Sequence, residues 1–145
     1  MTTSHTILIT GCSSGIGHCA AHGLHARGHR VYASARRTED VRRLQNEGLS
    51  AVQLDLDDDA SIGTALDTVL AATGGTLDAL FNNGAYGQPG AVEDLSRAAL
   101  RAQFETNLFG TAALTNRVIP VMRRQGHGRI IMNSSVLGYA AMAYR

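Results

Sequence analysis

Lysine is absent, so all 13 basic side chains are arginine. The chain therefore offers no amine whose pKa an environment could bring down toward neutrality, because a guanidinium stays charged. Nor does any run approach the 18 apolar residues of a membrane-crossing helix. The start, Met1-Thr2-Thr3-Ser4-His5, has neither the basic nor the apolar region of a secretory leader. Two cysteines, Cys12 and Cys19, are too few for a disulfide framework and fit reduced thiols in a cytoplasmic setting. Charge of one sign is lacking as well: the net value of +1 gives no case for nucleic acid. What remains is an ordinary globular composition, 44% hydrophobic and 17% charged, at a length that fits one domain, residues 1–145.

The stretch around which the rest is organised is Thr6 to Gly17, TILITGCSSGIG. An apolar run, Ile7-Leu8-Ile9, stops at Thr10-Gly11, and Gly15 and Gly17 follow before a helical pattern begins. One glycine lets the chain leave the strand at a φ that a side chain resists, and the others permit close approach to a ligand. Free N–H groups at the helix start then form an anion site suited to a pyrophosphate. A glycine-rich turn that binds nothing is the plain alternative. The position after a strand and before a helix favours the ligand.

The spacing Thr10-Gly11-x-x-x-Gly15-x-Gly17 resembles the T-G-x-x-x-G-x-G opening motif of the short-chain dehydrogenase/reductase family. That resemblance implies an α/β fold of the Rossmann type, a doubly wound parallel sheet of order 3-2-1-4-5, with a dinucleotide against Gly11, Ser13, Ser14, Gly15, Ile16 and Gly17. The strings T-G-C-S-S-G-I-G and S-S-V-L-G look like the family's steroid- and retinol-active branch.

Along the chain, Ile16, Ala20, Gly23 and Leu24 recur at helical spacing and Gly28 closes the helix. His18, His22, His25 and His29 share its other face. A histidine pair at i, i+4 is a known metal-ligand spacing, but no acid or cysteine on that face completes a set, so the stripe reads as solvated and no metal is expected. Residues 30–36 read as the second strand, with Val31, Ala33 and Ala35 on one face and Tyr32 and Ser34 on the other. Ala35 stands where an acid would meet a ribose 2′-hydroxyl, and Arg36 and Arg37 follow. A guanidinium there pairs with a 2′-phosphate, so NADP(H) is expected over NAD(H).

A helix over 38–47, a strand over 50–56, a helix over 60–72 behind Asp57-Asp58-Asp59, and a strand over 77–81 continue the alternation. By resemblance, Asp55 and Leu56 meet the adenine. Asn82-Asn83-Gly84-Ala85 resembles the family's N-N-A-G motif with its last two residues exchanged; the resemblance implies that the asparagine amides, Asn82 and Asn83, brace the central strand and that the backbone of Gly84 and Ala85 lines the nicotinamide side. Residues 96–124 read as the longest helix, with Leu100, Phe104, Leu108, Leu114 and Val118 apolar and Pro120 either kinking it or starting a separate turn. Asn107, in an N-x-x-G string, corresponds to the family residue that holds a water of the proton relay. A fifth strand over 129–133 leads to Ser135, which by resemblance hydrogen-bonds the substrate oxygen.

The implied reaction is hydride transfer between a nicotinamide and an alcohol or ketone, with an apolar substrate. The family's Y-x-x-x-K would place its tyrosine thirteen positions beyond Ser135, three past Arg145. The chain therefore reads as the front portion of a longer subunit, inactive alone, for which a homo-oligomeric full-length form is one open option, and truncation of the sequence is favoured over a true fragment. Two competing readings are a nucleotide-binding scaffold without catalysis and an S-adenosylmethionine-dependent methyltransferase; Arg36, where that cofactor's ribose usually meets an acid, argues against the second.

Overall fold

The computed structural model describes residues 4–144. Five strands form one sheet: β1 (Thr6–Ile9), β2 (Arg30–Ala35), β3 (Ser50–Gln53), β4 (Ala79–Asn82) and β5 (Arg129–Met132). Every pairing is parallel, as the alternation of strands and helices predicts, and the order is β3-β2-β1-β4-β5, as the resemblance implies. The crossover helices are α1 (Gly15–Ala26), α2 (Thr38–Asn46) and α3 (Asp59–Thr73). The last crossover is composite: α4 (Arg97–Phe104), a π-helical segment (Glu105–Gly110) and α5 (Thr111–Gln125).

Both faces of the sheet are buried over β1 and β2, while β5 at the edge is largely exposed. Ile7, Ile9, Val31, Ala33 and Ala35 pack with Ala21, Val41 and Leu44 under α1 and α2. Leu8, Tyr32, Val52 and Leu80 pack with Ile62, Val69, Leu114 and Val118 under α3 and α5. The two faces assigned to the second strand from its alternation are therefore present, and neither meets water.

Four expectations need correction. Of the expected α1 stripe, Ala20 and Leu24 do pack against the core beside the buried Gly17 and Ala21, whereas Ile16 is 63% exposed and Gly23 is exposed. Gly17 lies so close to the Gly11 carbonyl that an added Cβ would overlap it, and this contact sets the helix's rotation. The third strand stops at Gln53 rather than Leu56, because the Asp55 N–H donates to Ser61 Oγ (3.0 Å) and the Asp55 carboxylate accepts from Asp57 N–H (3.1 Å). The fourth begins at Ala79, not Leu77: the Gln125 amide takes both backbone groups of Leu77, accepting from its N–H at 2.6 Å and donating to its carbonyl at 3.0 Å.

The expected single helix over 96–124 is interrupted at the π segment and not at Pro120, which sits inside α5 on its exposed side. There the lost N–H costs least, because water can reach the freed carbonyl. The interruption falls where Gly110 crosses the Leu56 carbonyl so closely that a Cβ would clash. Leu114 and Val118 are fully buried, but Leu100, Phe104 and Leu108 are 44%, 52% and 50% exposed.

Candidate functional site

At the carboxyl ends of β1, β2 and β4 the chain opens a cleft of about 410 Å³, where open parallel sheets bind ligands. Its floor is built by glycines. Gly11 leaves β1 at φ +70° and Gly15 enters α1 at φ +60°, a region that favours glycine. A Cβ at Gly11 would stand 2.6 Å from the Gly84 Cα, whereas one at Gly15 would meet nothing within 4 Å. Gly11 is thus required by packing and conformation together; Gly15 faces open space and is required by conformation alone.

The start of α1 is electrostatically open. The N-cap residue Ser14 makes no capping bond and no acid lies in the first turn. By contrast, Asp58 caps α3 with Asp59 in its first turn, and Ser96 caps α4. The unpaired N–H groups and positive dipole end of α1 therefore remain available to an anion. On the opposite lip stand Ala35, buried at the end of β2, and Arg36, exposed and without an ion pair among the described residues. Asp55 and Leu56 close the third side.

A hydrogen-bond lattice fixes the cleft's inner wall. Thr10 Oγ1 accepts from Asn83 N–H (2.9 Å) and Gly84 N–H (2.8 Å), while Asn83 Nδ2 donates to the carbonyls of Thr10 (3.0 Å) and Gly11 (3.2 Å). Asn133 Nδ2 in turn donates to Asn83 Oδ1 at 2.9 Å. The ends of β1, β4 and β5 are thereby locked together. The resemblance gave the amides of Asn82 and Asn83 a bracing role, but nothing in the sequence marks Thr10 and Asn133 as the partners of Asn83 beyond their position at strand ends. A Cβ at Gly84 would lie 3.2 Å from both Leu56 Cδ1 and Thr10 Cβ, so the exchanged Gly84-Ala85 order suits a crowded position.

Of the residues expected at a dinucleotide, Gly11, Ser13, Arg36, Asp55, Leu56, Gly84 and Ala85 line the cleft. Ser14, Gly15 and Ile16 are exposed at the start of α1 and do not line the cleft, and Gly17 is buried. Asn82 lies off the cleft: its amide donates to Thr115 Oγ1 and the Met132 sulfur, both at 3.0 Å. Asn107 reaches the cleft through Tyr86, accepting from its N–H (3.1 Å) and donating to its carbonyl (2.7 Å). Ser135 is exposed and caps a short turn, its Oγ accepting from Leu137 N–H at 3.1 Å. Among the described residues, no hydrogen bond joins Ser135 to Asn107. Cys12, beneath the glycine turn, is fully buried and donates to the Ile9 carbonyl; burial pushes its thiol up to about 12.

A family model described as short chain dehydrogenase matches residues 5–144. The oxidoreductase YbbO of Escherichia coli is 44% identical over 133 residues, 92% of this chain and 49% of that protein. Retinol dehydrogenase 8 of Bos taurus is 35% identical over 96% of this chain and 47% of its own length. A short-chain dehydrogenase from Streptomyces avermitilis superposes with a TM-score of 0.90 at 36% identity, over 98% of this chain and 53% of that one. A gluconate 5-dehydrogenase from Burkholderia cenocepacia, solved with NADP and tartrate, gives 0.84 at 29% identity, over 97% and 57%. The chain spans about half the length of these relatives.

Proposed function

Because the chain belongs to the short-chain dehydrogenase family, we propose that it forms the cofactor-binding half of an NADP(H)-dependent oxidoreductase acting on an alcohol or ketone. The observation that carries the cofactor choice is the lip of the cleft, where Ala35 and Arg36 leave an unpaired guanidinium and no acid at the end of β2. A carboxylate there would repel a 2′-phosphate, whereas arginine makes charge-assisted bonds to it. The open start of α1 takes the linking phosphates, and the gap beside Gly15 leaves them room. The bound nicotinamide would supply or accept the hydride.

In this reading the residues of the chain bind and orient. Ser135 Oγ hydrogen-bonds the substrate oxygen, and Asn107, holding Tyr86 by both backbone groups, keeps the loop between cofactor and substrate in place and has a second amide N–H left to hold a water. An apolar substrate is supported by the exposed Val136, Leu137 and Met142 beyond Ser135 and by the similarity to retinol dehydrogenase 8. Exposed Leu100, Phe104, Leu108 and Phe109 support a homo-oligomer. A cytoplasmic location is part of the same reading; no helix among the described residues is long and apolar enough to cross a membrane.

The test is a titration of the intact protein with NADPH and with NADH. NADPH is expected to bind at least tenfold more tightly. Arg36→Ala is expected to remove about 1.5–3 kcal/mol of charge-assisted bonding, ten- to hundredfold in affinity, for NADPH only. A preference for NADH overturns the assignment.

A further inference from the structure

The histidine stripe of α1 does not stay together in the fold. His29 lies past the end of the helix, where its Nδ1 accepts from the His5 N–H at 3.2 Å and its ring stacks on that of His5. His18 and His22 remain one turn apart, ring centroids 4.6 Å from each other. Each Nε2 is 2.9 Å from the same atom, Oε2 of Glu47. The acid missing from the helix face is supplied by another element, for Glu47 is the C-cap residue of α2.

We propose that His18, His22 and Glu47 form a site for a zinc-class divalent cation, bridging α1 and the end of α2. The three donor atoms lie within 4.8 Å of one another. In a tetrahedral site with bonds of about 2.0–2.1 Å, neighbouring donors stand about 3.4 Å apart. The present N···O distances need open by only about half an ångström, and side chains that are 30–37% exposed can do this by small rotations. Two imidazoles and one carboxylate suit zinc and its first-row neighbours, whereas calcium and magnesium demand oxygen ligands.

The carboxylate is held in place by its neighbours. An acid at a helix C-terminus opposes the helix dipole, and Glu47 is compensated there by the His18 and His22 hydrogen bonds. Its other oxygen, Oε1, is 3.6 Å from Arg43 Nε, while Arg43 is itself fixed by Asp40 (2.9 Å) and by the Ser13 carbonyl (2.6 Å). Arg43 therefore orients Glu47 so that one oxygen faces the histidines, as outer partners of metal ligands do. It also links the cluster to the glycine turn.

Cobalt(II) and zinc titrations of the intact, tag-free protein decide the matter. One equivalent is expected to bind, with the visible spectrum of tetrahedral cobalt displaced by zinc and a rise in thermal midpoint. His22→Ala and Glu47→Gln are each expected to weaken binding at least tenfold, whereas His25→Ala leaves it unchanged. No binding at micromolar metal overturns the proposal. So does binding that survives both ligand variants, which would belong to histidines elsewhere. Circular dichroism checks that each variant folds; should His22→Ala fail to fold, the near-isosteric Glu47→Gln decides alone.

Discussion

The side-chain amide of Asn107 grips the backbone of Tyr86 at two points, accepting from its N–H at 3.1 Å and donating to its carbonyl at 2.7 Å. The Gln103 amide adds a second donor to that carbonyl at 2.9 Å. Asn107 sits in the π-helical segment between α4 and α5, a local distortion frequent at functional sites. The segment thereby aims one polar side chain at the loop that walls the candidate cofactor cleft.

Removing the grip is expected to loosen that loop before it harms the fold. At about 1 kcal/mol net per hydrogen bond, Asn107→Ala should raise hydrogen exchange at the Tyr86 amide by about tenfold, with global unfolding little changed. Asn107→Asp keeps the acceptor and loses the donor, so the Tyr86 amide should stay protected while its carbonyl keeps only the Gln103 bond. Unchanged exchange in the alanine variant would show that the grip does not hold the loop.

Two glycines of α1 separate packing from propensity. Gly17 faces the Gly11 carbonyl and, across the turn, Asn83 Nδ2 at 2.6 Å from a hypothetical Cβ; Gly23 faces nothing within 4 Å. Gly17→Ala must push the helix off the turn, at about 1–3 kcal/mol as for other overpacked sites, and should abolish binding of the dinucleotide. Gly23→Ala should instead stabilise by about 0.5–1 kcal/mol through helix propensity alone. Urea melts of the two variants check both signs.

That contrast also marks what the sequence could reveal. The parallel sheet and the cleft were legible because local signals carry them, β-branched runs ending at glycines and alternating with helical periodicity, while the strand order came from the resemblance of the glycine turn to a family motif. The rotation of α1 was not, since Ile16 and Gly17 exchange places for a contact with Gly11 that no hydropathy pattern encodes. Distant side chains set other boundaries, such as Gln125 removing Leu77 from β4 from 48 residues away. Glu47 joins His18 and His22 across 29 and 25 positions, a proximity that arises only when α2 folds back beside α1. The π segment depends on the passage of Gly110 over Leu56, equally invisible to periodicity.

The two cysteines should differ sharply in reactivity. Cys12 is fully buried with its thiol pushed up to about 12, chiefly by burial, and Cys19 is exposed on α1. Thiolate is the reactive form, so at pH 8 a disulfide reagent should titrate one thiol in the native protein and two in denaturant. Rapid modification of both in the native state would mean that the glycine turn opens readily.

Asp78 provides a pH-dependent clasp at the far end of the sheet from the cleft. Its carboxylate accepts from Thr6 N–H at 2.7 Å and pairs with His127 at 3.0 Å, and its backbone bonds both Thr6 and Arg129 at 2.9 Å. Burial alone would raise its pKa, but the Thr6 and His127 hydrogen bonds and the nearby charge of His5 and His127 outweigh this, and the carboxyl lies below its usual value. A group whose folded pKa is depressed stabilises the fold above its unfolded pKa, about 3.9, and loses that contribution as pH falls through the folded value. Asp78→Asn is therefore expected to lower the urea midpoint at pH 7, with the gap to wild type closing as the pH drops below about 4. Because the clasp joins the amino-terminal ends of β1, β4 and β5, dinucleotide affinity at pH 7 should not change. A midpoint gap that persists undiminished to about pH 2 would place the effect of the substitution in packing and not in the charge.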